Sequence, residues 1–475
     1  MVFSSLTFLV FFLPAVLLLY YCSSFRILRN AVLILFSLLF YAWGEPKWIF
    51  VLILTVFVNY LCGIAMAYTE NKRLRTFQML CGVVLGIGFL VYFKYSGMLV
   101  SLISGISGRK LDFVSPVLPI GISFYTFQIL TYTIDVYRRK VEPQKNFFLL
   151  LLYVSFFPQL IAGPIVNYKT IQESLQVRHV SLEQFCDGLM RFLVGLSKKV
   201  MLANVCGELT ENLGMTGDMS MLGAWLGALA YTLQIYFDFS GYSDMAIGMG
   251  EMFGFHFLEN FQYPYVSTSV TDFWRRWHIS LGAFFREYVY IPLGGNRVSG
   301  GKQIRNIMIV WGLTGLWHGA SYNFLIWGLY YGVLLILEKK VFGRLKEKAP
   351  AFLNWLVTIF LVVLGWVIFY HTNLGDLWNH IKALFGVSSA GLADKAAIYY
   401  GKNYFGFLVI AVLACIPWKK EVLPIILKRY KKSEAVFAKS GLLLVLKAFV
   451  ISLLALLSVG MLVGQSYNPF LYFRF

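Results

Sequence analysis

Eleven long apolar runs set the terms on which this chain can fold: residues 6–21, 31–43, 48–67, 77–93, 114–134, 147–161, 221–239, 322–337, 352–370, 404–416 and 441–464. A helix needs roughly 20 apolar residues to cross a bilayer, and a backbone in lipid must satisfy its own hydrogen bonds. Several runs reach that length, and the shorter ones read as re-entrant or buried segments, for about ten to twelve crossings in all. Composition agrees: 13% of the 475 residues are charged, against roughly a quarter in a soluble domain. The expected fold class is therefore an all-α polytopic membrane protein. With no sequence repeat, low-complexity tract or soluble segment large enough to act alone, residues 1–475 read as a single membrane-embedded domain.

The formal charge of +18 invites a nucleic-acid reading, but the basic residues sit just beyond helix ends. They cluster at Arg26 and Arg29 and at 72–75, 138–140, 339–348 and 419–432. That is the positive-inside pattern of cytoplasmic loops, so lipid bilayer rather than nucleic acid is the expected partner. Both termini, the 44–47 turn and the 372–403 loop then fall outside, and the sides of 163–220 stay open. The start of the chain lacks a basic flank and a cleavage site, which reads as a retained first helix. Six scattered cysteines without a C-x-x-C pair read as small packing residues. No metal-ligand spacing is present.

Polar residues in such a chain are costly and by default face a cavity or a partner. Four stretches carry them. In "LQIYFDFSGYSDMAIGMGEMFGF" (233–255), Asp238 and Asp244 either line a polar cavity or pair structurally, and Gly241, Gly248 and Gly250 suit close helix packing. In "TDFWRRWHISLGAFFREYVYIPLGGNR" (271–297), helical spacing places Phe273, Trp274, Trp277, Leu281, Phe284, Phe285 and Tyr288 on one stripe. Arg275 and Arg286 lie opposite and His278 at the edge, which predicts an amphipathic helix in an interface or along an aqueous funnel.

In "GLTGLWHGASYNFLIWG" (312–328), His318 sits mid-stretch. Fourteen residues separate His278 from Pro292, and fourteen separate Ile304 from His318. Helical arms of about 21 Å on each side of a 292–301 break would bring both imidazoles to one depth, facing one cavity. A lone histidine in an apolar helix is commonly a satisfied core residue; two at matched depth favour function. Last, "SYNPFLYFRF" ends the chain in aromatics, which reads as an interfacial anchor, with Tyr472 also supplying a nucleophilic oxygen.

The stretches "FDFSGYSDMAIGMG", "NFQYPYVSTSVTDFWRRWHISL", "FFREYVYIPLGGNR" and "LTGLWHGASYNFLIWG" together resemble the membrane-bound O-acyltransferase family. The branch they resemble is the bacterial alginate O-acetylation type, as do "MVFSS", "LPIGISFYTFQ", "FFPQLIAGPI" and "NPFLYFRF", so the resemblance covers essentially the whole chain. It implies helices around a central tunnel in the bacterial cytoplasmic membrane. It implies transfer of an acyl group, normally acetyl, from a cytosolic thioester such as acetyl-CoA, with no permanently bound cofactor. The acceptor side would involve an extracytoplasmic SGNH-type or similar acetyltransferase partner and a polysaccharide. By motif match His318 is the histidine deep in the tunnel, His278 the second family histidine, and Tyr472 the tail tyrosine proposed as an acyl relay. Arg275 and Arg276 are candidates for the phosphates of coenzyme A; Asp238, Trp317 and Asn323, within the matching motifs, complete the candidate substrate-binding set. Imidazole, with an ordinary pKa near 6.5, suits removal of the proton from an attacking hydroxyl. The rival readings are a D-alanyl or lipid acyltransferase, and a proton-coupled transporter or flippase. The transporter predicts inverted repeats with broken helices in equivalent halves, and no such pairing is found.

Overall fold

A computed structural model describes residues 1–109, 111–161, 163–418, 441–464 and 467–471. Among these, regular structure is helical throughout, with no strand. Five helical stretches are long and apolar enough to cross a membrane by length and composition: Arg26–Gly44, Ile49–Ala67, Lys72–Ser107, Ala351–Tyr370 and Lys395–Ala414. Much of the remaining apolar sequence forms shorter, interrupted or protein-enclosed helices, because burial against neighbouring helices demands the same residues as lipid does.

The 32-residue helix Met221–Met252 shows this directly. Almost every residue from Ala228 to Gly250 is buried, so it is a central post rather than a lipid-facing span. Helix Leu182–Ser197 crosses it at glycines. A Cβ on Gly195 would lie 2.6 Å from the Gly241 carbonyl oxygen, and one on Gly241 2.7 Å from that of Gly195. Gly188 opposes Gly248 in the same way. With no side chains at the crossing the backbones approach closely, as the glycine spacing predicts.

Both aspartates on this post are paired. Asp244 takes Arg191 at 2.9 Å and Lys198 at 2.7 Å, and Asp238 takes Lys199 at 2.7 Å. Both aspartates thus follow the pairing alternative. The Asp238–Lys199 pair also grips the chain end: the Leu471 amide donates to Asp238 Oδ2 at 2.9 Å, and Lys199 Nζ donates to the Pro469 carbonyl. Asn468 accepts from Ser4 Oγ and donates to the Ser4 carbonyl at 2.7 Å. Phe470 stacks on Tyr242, which stacks on Phe3. Residues 467–471 are thus packed against the protein interior, and the expected interfacial anchor is corrected to that extent; Tyr472 lies outside the described residues. A hydropathy reading gives the tail's aromatics to the headgroups because it cannot see the buried ion pair waiting for the backbone.

The amphipathic helix expected over 271–290 is broken. Val270–Arg276 and Ile279–Phe285 are separate helices, with His278 between them in the left-handed region at φ 45°. A π-helical turn, Arg286–Tyr290, follows. Its apolar stripe nevertheless faces inward: Phe273, Trp277, Leu281, Phe284 and Phe285 are all buried. The stripe packs against protein, not a lipid surface.

Candidate active site

Helix Gly300–His318 ends at His318, because Gly319 turns to extended backbone before Tyr322–Leu337 begins. A Cβ at Gly315 would strike the Phe324 carbonyl, so the two helices are pressed together just behind the histidine. The His318 ring is buried among Trp317, Trp327 and Phe369, at centroid distances of 4.9, 4.9 and 5.2 Å.

A helix C-terminus leaves backbone carbonyls without intrahelical partners. Here a lysine reaches them. Lys94 Nζ donates to the Trp317 carbonyl at 2.6 Å and to the His318 carbonyl at 3.3 Å, and also meets Ser123 Oγ at 3.3 Å. Tyr95 donates to the Leu316 carbonyl at 2.5 Å. A cation at this end also complements the helix dipole. Both residues sit on a π-helical turn, Val91–Tyr95, which re-aims side chains within the long helical stretch Lys72–Ser107. Reading along the sequence missed Lys94; its one signal was an ammonium group inside "LVYFKYSG", which looks like an ordinary helix-end cation.

Lys94 and His318 share a cavity of about 80 Å³ with Pro119, Gly121, Ser123 and Trp317. Gly121 belongs here for a backbone reason. Its φ is +75°, and a Cβ would lie 2.7 Å from the Leu160 carbonyl oxygen. The "LPIGISF" and "FFPQLIAGP" stretches therefore meet beside His318.

His278 is held by its own network. Asn260 Oδ1 accepts from the Ser280 amide at 3.1 Å and from Ser280 Oγ at 2.9 Å, which identifies it as the oxygen. Its third partner, at 3.2 Å, is His278 Nδ1. That nitrogen must then carry the proton, leaving the Nε2 lone pair, which has no hydrogen-bond partner among the described residues. The ring packs on Phe239 at 4.7 Å and on Trp317 at 5.7 Å. A left-handed non-glycine residue costs of order 1–3 kcal/mol and marks a place where surroundings over-determine the backbone. Asn260 was not singled out in the sequence, where nothing connects it to a ring 18 residues away.

The sequence candidates thus separate. His278, Trp317 and His318 come together. Arg275 is exposed, and Arg276 is engaged by Asp272 at 3.1 Å and by the Gln262 carbonyl. Asp238 belongs to the tail-holding pair. Asn323 is buried and donates to the Phe369 carbonyl at 3.0 Å, tying the end of Ala351–Tyr370 to the His318 neighbourhood. No group of three or more potential metal ligands occurs among the described residues.

Fold and site together define a class: a polytopic membrane protein with imidazoles held in its helical interior. The model of the membrane-bound O-acyltransferase family matches residues 138–375. The chain is 38% identical over 501 residues to a "probable alginate O-acetylase" of Azotobacter vinelandii, covering all of both chains. It is 40% identical over 422 residues to a protein of the same description from Pseudomonas aeruginosa, covering 86% of this chain and 81% of that one. A peptidoglycan O-acetyltransferase of Helicobacter pylori is 32% identical over 480 residues, with 93% and 91% covered. The chain belongs to the membrane-bound O-acyltransferase family and is an O-acyltransferase.

Proposed function

We propose that this enzyme moves an acetyl group from a cytosolic thioester, acetyl-CoA, through the membrane for O-acetylation of an extracytoplasmic polysaccharide. The observation that carries this reading is His318 bordering a small cavity beside the capped end of its helix. That cavity suits a short acyl group, and the similarity to alginate and peptidoglycan O-acetylating proteins supports acetyl over D-alanyl transfer. An SGNH-type partner outside the membrane assists delivery to the polymer.

In this mechanism His318 removes the proton from an attacking hydroxyl as its oxygen meets the thioester carbonyl. The carbon–sulfur bond then breaks and the thiolate leaves with a proton. His278, with Nε2 as acceptor, orients the hydroxyl. The hydroxyl is the phenol of Tyr472, whose aryl ester is activated enough to pass the acyl group on. Tyr472→Phe, which keeps the ring and deletes one oxygen, is expected to abolish polymer acetylation in cells at normal protein level. Unchanged acetylation would favour transfer directly from the His318 site.

Lys94 is a positioning residue in this scheme. Lys94→Met should lower kcat about 10- to 100-fold, the scale of a small misplacement of reacting groups, with KM for the thioester little changed. An equal change in both would point to a donor-binding role instead.

Orientation follows from the basic loops. Cysteines placed at 428–432 should react with an impermeant maleimide only from the cytosolic side, and those at 372–403 only from outside. The opposite pattern would reverse the direction of transfer.

A further inference from the structure

The cavity beside His318 is bordered on one side by the start of helix Ile122–Tyr137. The first amides of a helix have no intrahelical acceptor. Here Ile122 donates to the Pro119 carbonyl at 3.2 Å, and Phe124 and Tyr125 donate to that of Gly121 at 2.9 and 3.0 Å. The Ser123 amide between them has no acceptor among the described residues. The N-cap is Gly121, which has no side chain to offer one. Its positive φ, and the Leu160 carbonyl against it, exclude a capping serine or aspartate.

The Ser123 hydroxyl is left in the same condition. Lys94 as an ammonium has three N–H groups. The Trp317 and His318 carbonyls, which can only accept, take two of them, and Ser123 Oγ takes the third at 3.3 Å. That is the one hydrogen bond of Ser123 Oγ among the described residues, and in it the oxygen accepts. Its own O–H therefore remains to be donated, from a residue only 9% exposed. A cation donating to a hydroxyl oxygen polarises the O–H and strengthens it as a donor. One residue thus brings two unspent donors to the border of the His318 cavity, one of them at the positive end of a helix dipole. Proton removal by His318 uses neither.

We propose that Ser123 is a catalytic residue: its amide and hydroxyl bind the thioester carbonyl oxygen in this cavity and stabilise the oxyanion that forms there. As the attacking oxygen bonds to the carbonyl carbon, its proton passes to His318, and the π pair of the C=O bond moves onto the carbonyl oxygen. That oxyanion accepts from Ser123. On collapse the C=O bond re-forms, the carbon–sulfur bond breaks, and the leaving thiolate takes the proton from His318. Ser123 is not itself acylated, because its oxygen faces an ammonium, which cannot take its proton. Lys94 is the positioning residue that aims the hydroxyl, and Gly121 keeps the amide uncapped. The proposal deepens the thioester reading above and rests on it.

The experiment uses the full-length protein in detergent. His318→Ala, which holds the thioester unreacted, is loaded with acetyl-CoA isotope-labelled at the acetyl carbonyl, and the carbonyl stretch is read by infrared difference spectroscopy. The bound band should lie below that of the free thioester. Adding Ser123→Ala should move it back toward the free value while the donor still binds, which also shows that the variant folds. No shift in His318→Ala, or the same shift with and without the hydroxyl, overturns the assignment. With His318 intact, and the partner protein and unacetylated polysaccharide supplied, Ser123→Ala should lower kcat about 10²–10³-fold, the scale of one lost oxyanion donor, with KM for acetyl-CoA within about twofold. Ser123→Thr, which keeps the hydroxyl, should recover about tenfold or more of that loss. A raised KM at unchanged kcat, or a threonine variant no better than alanine, also overturns it. A wild type that transfers nothing from acetyl-CoA contradicts the donor reading itself, a failure seen before Ser123 is changed and so distinct from failure of the Ser123 role.

Discussion

His318→Ala is expected to leave an inserted, folded protein that transfers essentially no acyl group. The ring touches Trp317, Trp327 and Phe369, so its removal opens a small internal gap. Such a loss falls within the usual range of about 0.5–3 kcal/mol. The chemical loss is larger, since positioned general-base assistance is worth about 10²–10⁴-fold. His278→Ala should retain partial activity, because an orienting acceptor contributes less than the group that takes the proton. Protein level and polymer O-acetyl content, measured on the same cells, separate the two effects. Equal and total loss for both variants would mean that the division of labour between the two rings is wrong.

The second large effect belongs to a residue away from the histidines. Asp238→Ala leaves the Lys199 ammonium buried without its carboxylate. Breaking one side of a buried pair typically costs about 3–5 kcal/mol. It also frees the Leu471 amide that Asp238 Oδ2 accepts from, so the chain end is released as well. The expected result is a marked fall in thermal stability in detergent. Combined Asp238→Leu and Lys199→Met should recover much of that stability, because removing both charges avoids the unpaired one. It should not restore activity if the grip on the tail is what function needs. Recovery of both together would leave the pair with a packing role alone.

How much of this was legible beforehand differs from residue to residue. Apolar length announced a helical membrane protein, since lipid leaves the backbone few other options. The glycines of 233–255 foretold close helix crossings because a missing side chain has one plain consequence. His278 and His318 were found because an ionisable ring in an apolar stretch is conspicuous, and equal spacing about a turn does put them near one another. Lys94 escaped notice because its value lies in which carbonyls it reaches, and these belong to a helix more than 200 residues later. Asn260 is likewise a product of tertiary contact. The break at His278 was invisible to periodicity: the stripe it interrupts keeps its inward face, so a continuous helix and two short ones read alike. Arginines 275 and 276 illustrate the converse. Their type alone suggested phosphate binding, and the sequence did not show that Arg275 stands exposed while Arg276 meets a carboxylate one helical turn away.

The central claim is vectorial acyl transfer through the His318 cavity. It is tested most directly in proteoliposomes of known orientation, with labelled acetyl-CoA on one side and unacetylated polysaccharide with the partner protein on the other. The account predicts labelled polymer only when the donor faces the basic loops, and background levels with His318→Ala. Transfer from either side, or undiminished transfer by His318→Ala, would contradict it.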